Sequence, residues 1–107
     1  MLLELNYKFR SHPEGKTLPV KWSHTGVVGS GDLEILMEQR DLDGAVVVKV
    51  VTPVRGFDYV WEKVLERFAD EQDIRDVSIE INDNNATPFI VSMRLKQALL
   101  EAMKGEN

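Results

Sequence analysis

Apolar and polar side chains alternate with a period of two in several separated stretches of this chain, which commits much of it to a sheet. Leu33, Ile35 and Met37 alternate with Glu34 and Glu38, and Leu3, Leu5, Tyr7 and Phe9 alternate with Glu4, Asn6 and Lys8. Val46, Val48 and Val50 share one face of an apolar run from Ala45 to Thr52, and Val77, Ile79 and Ile81 alternate with Ser78 and Glu80. Successive strand side chains point to opposite faces, so each stretch reads as a strand with one buried face. Val20 to Val28 reads as a further strand, after a loop from Ser11 to Pro19 that holds two prolines and a glycine.

Two stretches follow a helical period instead. Phe57, Val60, Trp61, Val64, Leu65 and Phe68 recur at helical spacing, with Asp58, Glu62, Lys63, Glu66 and Arg67 opposite. Val91, Leu95, Ala98, Leu99 and Ala102 form a second apolar stripe, ending near Gly105. Thr87-Pro88 opens it well, with a capping hydroxyl followed by a proline at the first helical position. The order βββ-β-α-β-α predicts an α+β two-layer sandwich: a mostly antiparallel sheet of about five strands, with two amphipathic helices on one face. At 107 residues the chain is expected to form a single domain, 1–107.

The stretch Val27-Val28-Gly29-Ser30-Gly31-Asp32 joins the second and third strands. A two-residue hairpin loop at Ser30-Gly31 predicts Val28 opposite Leu33, Gly26 opposite Ile35, His24 opposite Met37 and Trp22 opposite Gln39. That register gathers Trp22, Val28, Leu33, Ile35 and Met37 on one face. Gly, Ser and Asp are ordinary turn residues, so the motif alone fits a plain turn. It equally fits a serine stripped of bulky neighbours so that a partner enzyme can reach its hydroxyl.

Composition narrows the chemistry. The chain has no cysteine, which excludes disulfides, thiolate metal sites and a cysteine nucleophile of its own, and fits a reducing compartment. Thirteen Lys and Arg against 18 Asp and Glu leave a net charge of -5 without a basic stripe, which disfavours nucleic acid. No apolar run approaches the length of a membrane span and the first residues lack a signal-peptide pattern, so a soluble, cytoplasmic protein is expected. The G-x-S-x-G elbow of hydrolases would need glycines at Val28 and Asp32, and His24 sits back along the strand, so serine hydrolysis by this chain is disfavoured. Neither a dinucleotide fingerprint nor a P-loop is present. Asp41/Asp43, Asp70/Glu71/Asp73 and Asp83 lack calcium-loop spacing and read as solvated turns. His12 and His24, without carboxylates at ligand spacing, do not make a zinc centre. The remaining reading is a carrier or binding module.

Two blocks carry a family likeness. Val27-Val28-Gly29-Ser30-Gly31-Asp32-Leu33-Glu34-Ile35-Leu36 resembles the serine motif of the malonate decarboxylase acyl carrier family. Ile81-Asn82-Asp83-Asn84-Asn85-Ala86-Thr87-Pro88, leading into Val91-Ser92-Met93-Arg94-Leu95, resembles the same family near its C-terminus, although Asn84-Asn85 replaces a glycine-containing turn. The citrate lyase acyl carrier shares Ser-Gly-Asp, but there the serine lies nearer the N-terminus and no Ala-Thr-Pro block is expected.

The resemblance implies a non-catalytic carrier subunit with phosphoribosyl-dephospho-coenzyme A joined to Ser30 through a phosphodiester. It implies a prosthetic-group transferase, an acyltransferase subunit and decarboxylase subunits as partners, with acetyl and malonyl groups carried on the distal thiol. Gly29 and Gly31 would give access to Ser30. Asp32 would either guide the transferase or a phosphate-held metal ion, or simply cap the turn. The rivals are a citrate lyase-type carrier and an unmodified α+β adaptor.

Overall fold

The computed structural model describes residues 2–10, 14–26 and 29–105. Its elements, in chain order, are β1 (Leu3–Phe9), β2 (Trp22–Gly26), β3 (Asp32–Gln39), β4 (Val46–Thr52), α1 (Asp58–Gln72), β5 (Val77–Asn84) and α2 (Pro88–Met103). The five strands form one sheet in the order β1-β4-β5-β3-β2. β4 and β5 run parallel and every other neighbouring pair is antiparallel. Parallel neighbours need a long crossover, and α1 supplies it. This is the two-layer α+β fold that the alternation and the two helical stripes predict.

One face of the sheet is the core face. Leu5, Val50, Ile81, Ile35 and Thr25 lie abreast in one row across it. Leu33, Met37, Val46, Val48, Val77 and Ile79 join that layer, and Trp61, Leu65 and Phe68 of α1 pack on it with Val91, Leu95 and Ala98 of α2. Burying this much aliphatic surface, at roughly 25 cal/mol per Å², is the main force holding helices to sheet. α2 starts as its residues dictate: the Thr87 hydroxyl accepts a hydrogen bond from the Ile90 N–H at 3.3 Å, with Pro88 at the first helical position. The Tyr7 hydroxyl donates to the Asp58 carbonyl at 2.9 Å and ties the start of α1 to β1.

The hairpin register departs from expectation by one residue. Trp22 lies opposite Glu38, Ser23 opposite Met37, His24 opposite Leu36, Thr25 opposite Ile35 and Gly26 opposite Glu34. Trp22 therefore points away from the core and is 50% exposed, while Ser23 and Thr25 are buried. The Ser30-Gly31 loop itself is the expected one, closed by the Asp32 N–H on the Gly29 carbonyl. The shift arises beyond it: two residues separate Gly29 from Gly26 while one separates Asp32 from Glu34, the two-against-one count of a β-bulge, and Gly26 takes φ +89°. The buried hydroxyls do not go unpaired, since Thr25 Oγ1 donates to Glu101 Oε2 on α2 at 2.5 Å. The expected extension of β2 through Val27 and Val28, and the pairing of Val28 with Leu33, lie outside the described residues. So do residues 11–13 of the expected loop.

Two further differences are local. α1 continues to Gln72, so Asp70 and Glu71 are helical; Arg67 Nε lies 3.2 Å from Glu71 Oε1 one turn on. Leu18, within the expected loop, is fully buried and belongs to the core.

Candidate functional site

The serine sits at the first central position of a reverse turn. The Asp32 N–H donates to the Gly29 carbonyl at 3.0 Å, closing a four-residue turn around Ser30 and Gly31. Gly31 is glycine because its φ of +77° penalises any side chain. The Gly31 N–H donates to the Asn84 carbonyl at 2.7 Å, so the turn is laid against the end of β5. Ser30 itself is exposed.

Among the described residues, chain neighbours aside, a Cβ added at Gly29 or at Gly31 would meet no atom within 4 Å, so both positions flanking Ser30 are uncrowded. Gly26 differs sharply. Its φ is +89° and an added Cβ would stand 2.5 Å from the Leu33 carbonyl oxygen. Gly26 is demanded by the fold, Gly31 by its turn conformation, and Gly29 by neither, because it carries no positive φ.

Asp32 is fixed on both sides. Its Oδ1 accepts from the Leu33 N–H at 2.8 Å. Arg94 of α2 donates Nε to Oδ1 at 3.0 Å and Nη2 to Oδ2 at 2.7 Å, a two-point fork. The Arg94 hydrogen bonds, then the Leu33 amide, hold the Asp32 carboxyl below the usual carboxylate range, against a smaller opposing effect of burial. Arg94 also donates Nη1 to Gln97 Oε1 at 2.8 Å. Residue periodicity gives no sign of this pairing, since the partners lie 62 residues apart. Arg94 was visible only as one member of the second family block.

The other candidate residues lie elsewhere or are otherwise engaged. His24 is on the sheet face opposite the core, with Nε2 3.0 Å from Glu34 Oε2. A carboxylate does accompany His24, contrary to expectation, because cross-strand neighbours are ten residues apart in sequence. Asp83 is also corrected: it is buried on the core face of β5 and is not a solvated turn residue. Its Oδ2 accepts from Thr52 Oγ1 at 2.8 Å and its Oδ1 from the Ala86 N–H at 2.9 Å. Both bonds are local to the strand ends, so the carboxylate shapes the β5–α2 connection. Among the described residues, no group of three or more His, Cys, Asp or Glu could hold a metal ion. Among the same residues, no helix is long and apolar enough to cross a membrane.

The chain resembles known proteins across nearly its whole length. The family profile described as malonate decarboxylase delta subunit matches residues 20–102. The malonate decarboxylase acyl carrier protein of Malonomonas rubra is 57% identical over 107 residues, covering 99% of this chain and 94% of the relative. That of Stenotrophomonas maltophilia strain K279a is 44% identical over 107 residues, covering 95% of each. In solved structures, a chain of a Pseudomonas malonate decarboxylase hetero-tetramer in complex with malonate superposes with a TM-score of 0.76. It is 31% identical and the match covers 95% of this chain and 98% of that one.

Proposed function

Since the chain belongs to the malonate decarboxylase delta-subunit family, as an acyl carrier subunit, we propose that Ser30 is where this carrier is loaded, with phosphoribosyl-dephospho-coenzyme A bound to its hydroxyl as a phosphodiester. The observation that carries the reading is the open turn: Ser30 is exposed, and the positions on either side offer no atom within 4 Å of a would-be side chain. An exposed hydroxyl between two uncrowded glycines suits a covalent arm that must leave the surface.

Among the described residues no base is hydrogen-bonded to the Ser30 hydroxyl, and this reading needs none. In the loading step the serine oxygen bonds to phosphorus, an activated phosphate leaving group departs, and the hydroxyl proton passes to the transferase. The task of this chain is presentation. Gly31 sets the turn, the Asn84 carbonyl anchors it through the Gly31 N–H, and Asp32 locks its far side to α2 through Arg94. A rigid base under a mobile arm is what a carrier needs.

When bound, the group supplies a distal thiol whose acyl thioesters acidify and delocalise charge at the carbon next to the carbonyl, where loss of carbon dioxide leaves electrons. This chain binds, orients and delivers the acyl group, and takes no chemical part itself. An acyltransferase subunit would exchange acetyl for malonyl, and decarboxylase subunits would then act on the tethered malonyl group. Tethering raises the effective concentration of substrate at each of those sites. The reading places the carrier in the cytoplasm, where a free thiol at the end of the arm stays reduced.

Intact-mass measurement after co-expression with the transferase tests this. The chain is expected to gain the mass of one group, and Ser30→Ala is expected to gain none. An unmodified chain, or a mass increase that survives Ser30→Ala, overturns the proposal. Malonate assayed against citrate in the reconstituted complex separates this carrier from a citrate lyase type.

A further inference from the structure

A cavity of about 300 Å³ opens between the starts of α1 and α2, lined by Val54, Phe57, Trp61, Ala86 and Val91 with Asp83 at its polar side. Its lining includes the residue that follows the strand end on which the serine turn rests. Asn85 lines it, and the carbonyl of the preceding residue, Asn84, accepts the Gly31 N–H at 2.7 Å. Adjacent Cα atoms are about 3.8 Å apart, so this part of the cavity wall lies next to the residue on which the Ser30 turn rests.

We propose that this cavity receives the adenine base of the nucleotide joined to Ser30, so that the arm is moored at its near end while its thiol end stays outside. The inference rests on the reading of Ser30 as the attachment site, and adds a second, non-covalent contact to it.

Size, lining and hydrogen bonding support a purine. Small-molecule sites start at roughly 300 Å³, which suits one bicyclic ring system and is too small for the whole group. Phe57 and Trp61 contribute aromatic rings to the lining, of a kind that stacks on a flat base, and most of the rest is aliphatic. Asp83 is 6% exposed and each of its oxygens already accepts one hydrogen bond. A carboxylate oxygen has two acceptor positions, so Asp83 keeps capacity for a further donor such as an exocyclic amine. The other end of the arm fits worse. A malonyl group would bring a second carboxylate into an apolar lining beside Asp83, which desolvation and like charge both oppose.

Trp61 reports on the contact directly. The background variant Trp22→Phe removes the other indole, which is 50% exposed on the opposite face of the sheet. In that background the loaded chain, verified by mass, is expected to lose most of the Trp61 emission of the unloaded chain. The loss is expected to be equal in the free-thiol, acetyl and malonyl forms. Val54→Phe, which fills the cavity from its wall, is expected to load normally and keep the unloaded emission. Methyl NMR gives an independent reading should that variant not fold: Val60, Val64 and Val91 resonances are expected to move on loading, and Val46 and Val77 to stay. Unchanged emission and unchanged methyl shifts in a chain that carries the group would overturn the inference while leaving Ser30 in place. A change seen only on acylation would also overturn it, by assigning the cavity to the thiol end. Failure to gain mass would instead sink the Ser30 reading itself.

Discussion

Arg94 reaches from the middle of α2 to grip both carboxylate oxygens of Asp32, the residue that closes the Ser30 turn. A single long-range contact thus couples the proposed attachment site to the helical layer. Both side chains are about three-quarters screened from solvent, at 27% and 22% exposure, so the pair is less weakened by salt than a surface ion pair. Arg94→Met keeps the apolar stem and removes the fork. The variant is expected to fold, to exchange the Gly31 and Leu33 amides faster, and to load more slowly. Misplacing a reacting group by up to 1 Å costs up to about 100-fold in rate, which bounds the effect. Hydrogen exchange and a timed mass assay read the two consequences separately, and a wild-type loading rate would show that the pair does not position the turn.

The three glycines around the hairpin separate fold from function. Gly26→Ala forces a side chain onto φ +89° and against the Leu33 carbonyl oxygen 2.5 Å away, and is expected to cost at least roughly 1–3 kcal/mol. Gly29→Ala meets no atom within 4 Å among the described residues and has no positive φ, so stability is expected to change by less than about 0.5 kcal/mol. Any loss of loading in Gly29→Ala then reports on access for the transferase. Urea unfolding followed by the mass assay measures both quantities, and a strongly destabilised Gly29→Ala would refute the assignment of open space there.

Acid should loosen the turn after β3 before it reaches the core. The Asp76 carboxylate accepts from the Gly44 N–H at 2.8 Å, the Leu42 N–H at 3.0 Å and Arg75 Nε at 3.1 Å. Those backbone amides, Gly44 first, hold its carboxyl below the usual aspartate range despite the opposing effect of burial. Asp32 is held low in the same direction by Arg94. A carboxyl with a depressed folded-state pKa contributes stability above its unfolded value, and that contribution disappears as pH falls through the folded value. Stability is therefore expected to fall below about pH 4. Asp76→Asn is expected to be less stable at neutral pH and to lose less on acidification, as followed by circular dichroism. Parallel acid curves for the two chains would remove Asp76 from this account.

What could be read from sequence divides along physical lines. Strands with a period of two, the capped start of α2 at Thr87-Pro88 and the stripe of α1 all encode their state locally, and each formed as expected. The serine turn was legible as a two-residue loop, but the extra residue between Gly29 and Gly26 was not, and that difference of one residue decides which face of β2 is buried. The apolar rule then chose Trp22 for the core, although the sheet edge buries Ser23 and Thr25 and satisfies Thr25 through Glu101. Arg94 on Asp32 and Thr52 on Asp83 were invisible for a related reason. These pairs are made by the topology, 62 and 31 residues apart, and no local pattern announces them.

The β2 register makes a prediction in which two residues exchange their expected roles. With Trp22 in the core, truncation to alanine would cost about 3–5 kcal/mol, the usual range for a buried large aromatic. At 50% exposure on the opposite face, Trp22→Ala is expected to cost under about 1 kcal/mol. Thr25 is the sensitive position: it is 5% exposed and its hydroxyl donates to Glu101 Oε2. Thr25→Trp places a large ring where Ile35 lies opposite and α2 packs above, and is expected to cost more than roughly 3 kcal/mol through overpacking and a lost donor. Urea midpoints of the two variants give the answer. A costly Trp22→Ala beside a tolerated Thr25→Trp would shift β2 by one residue and move its buried face to the other side.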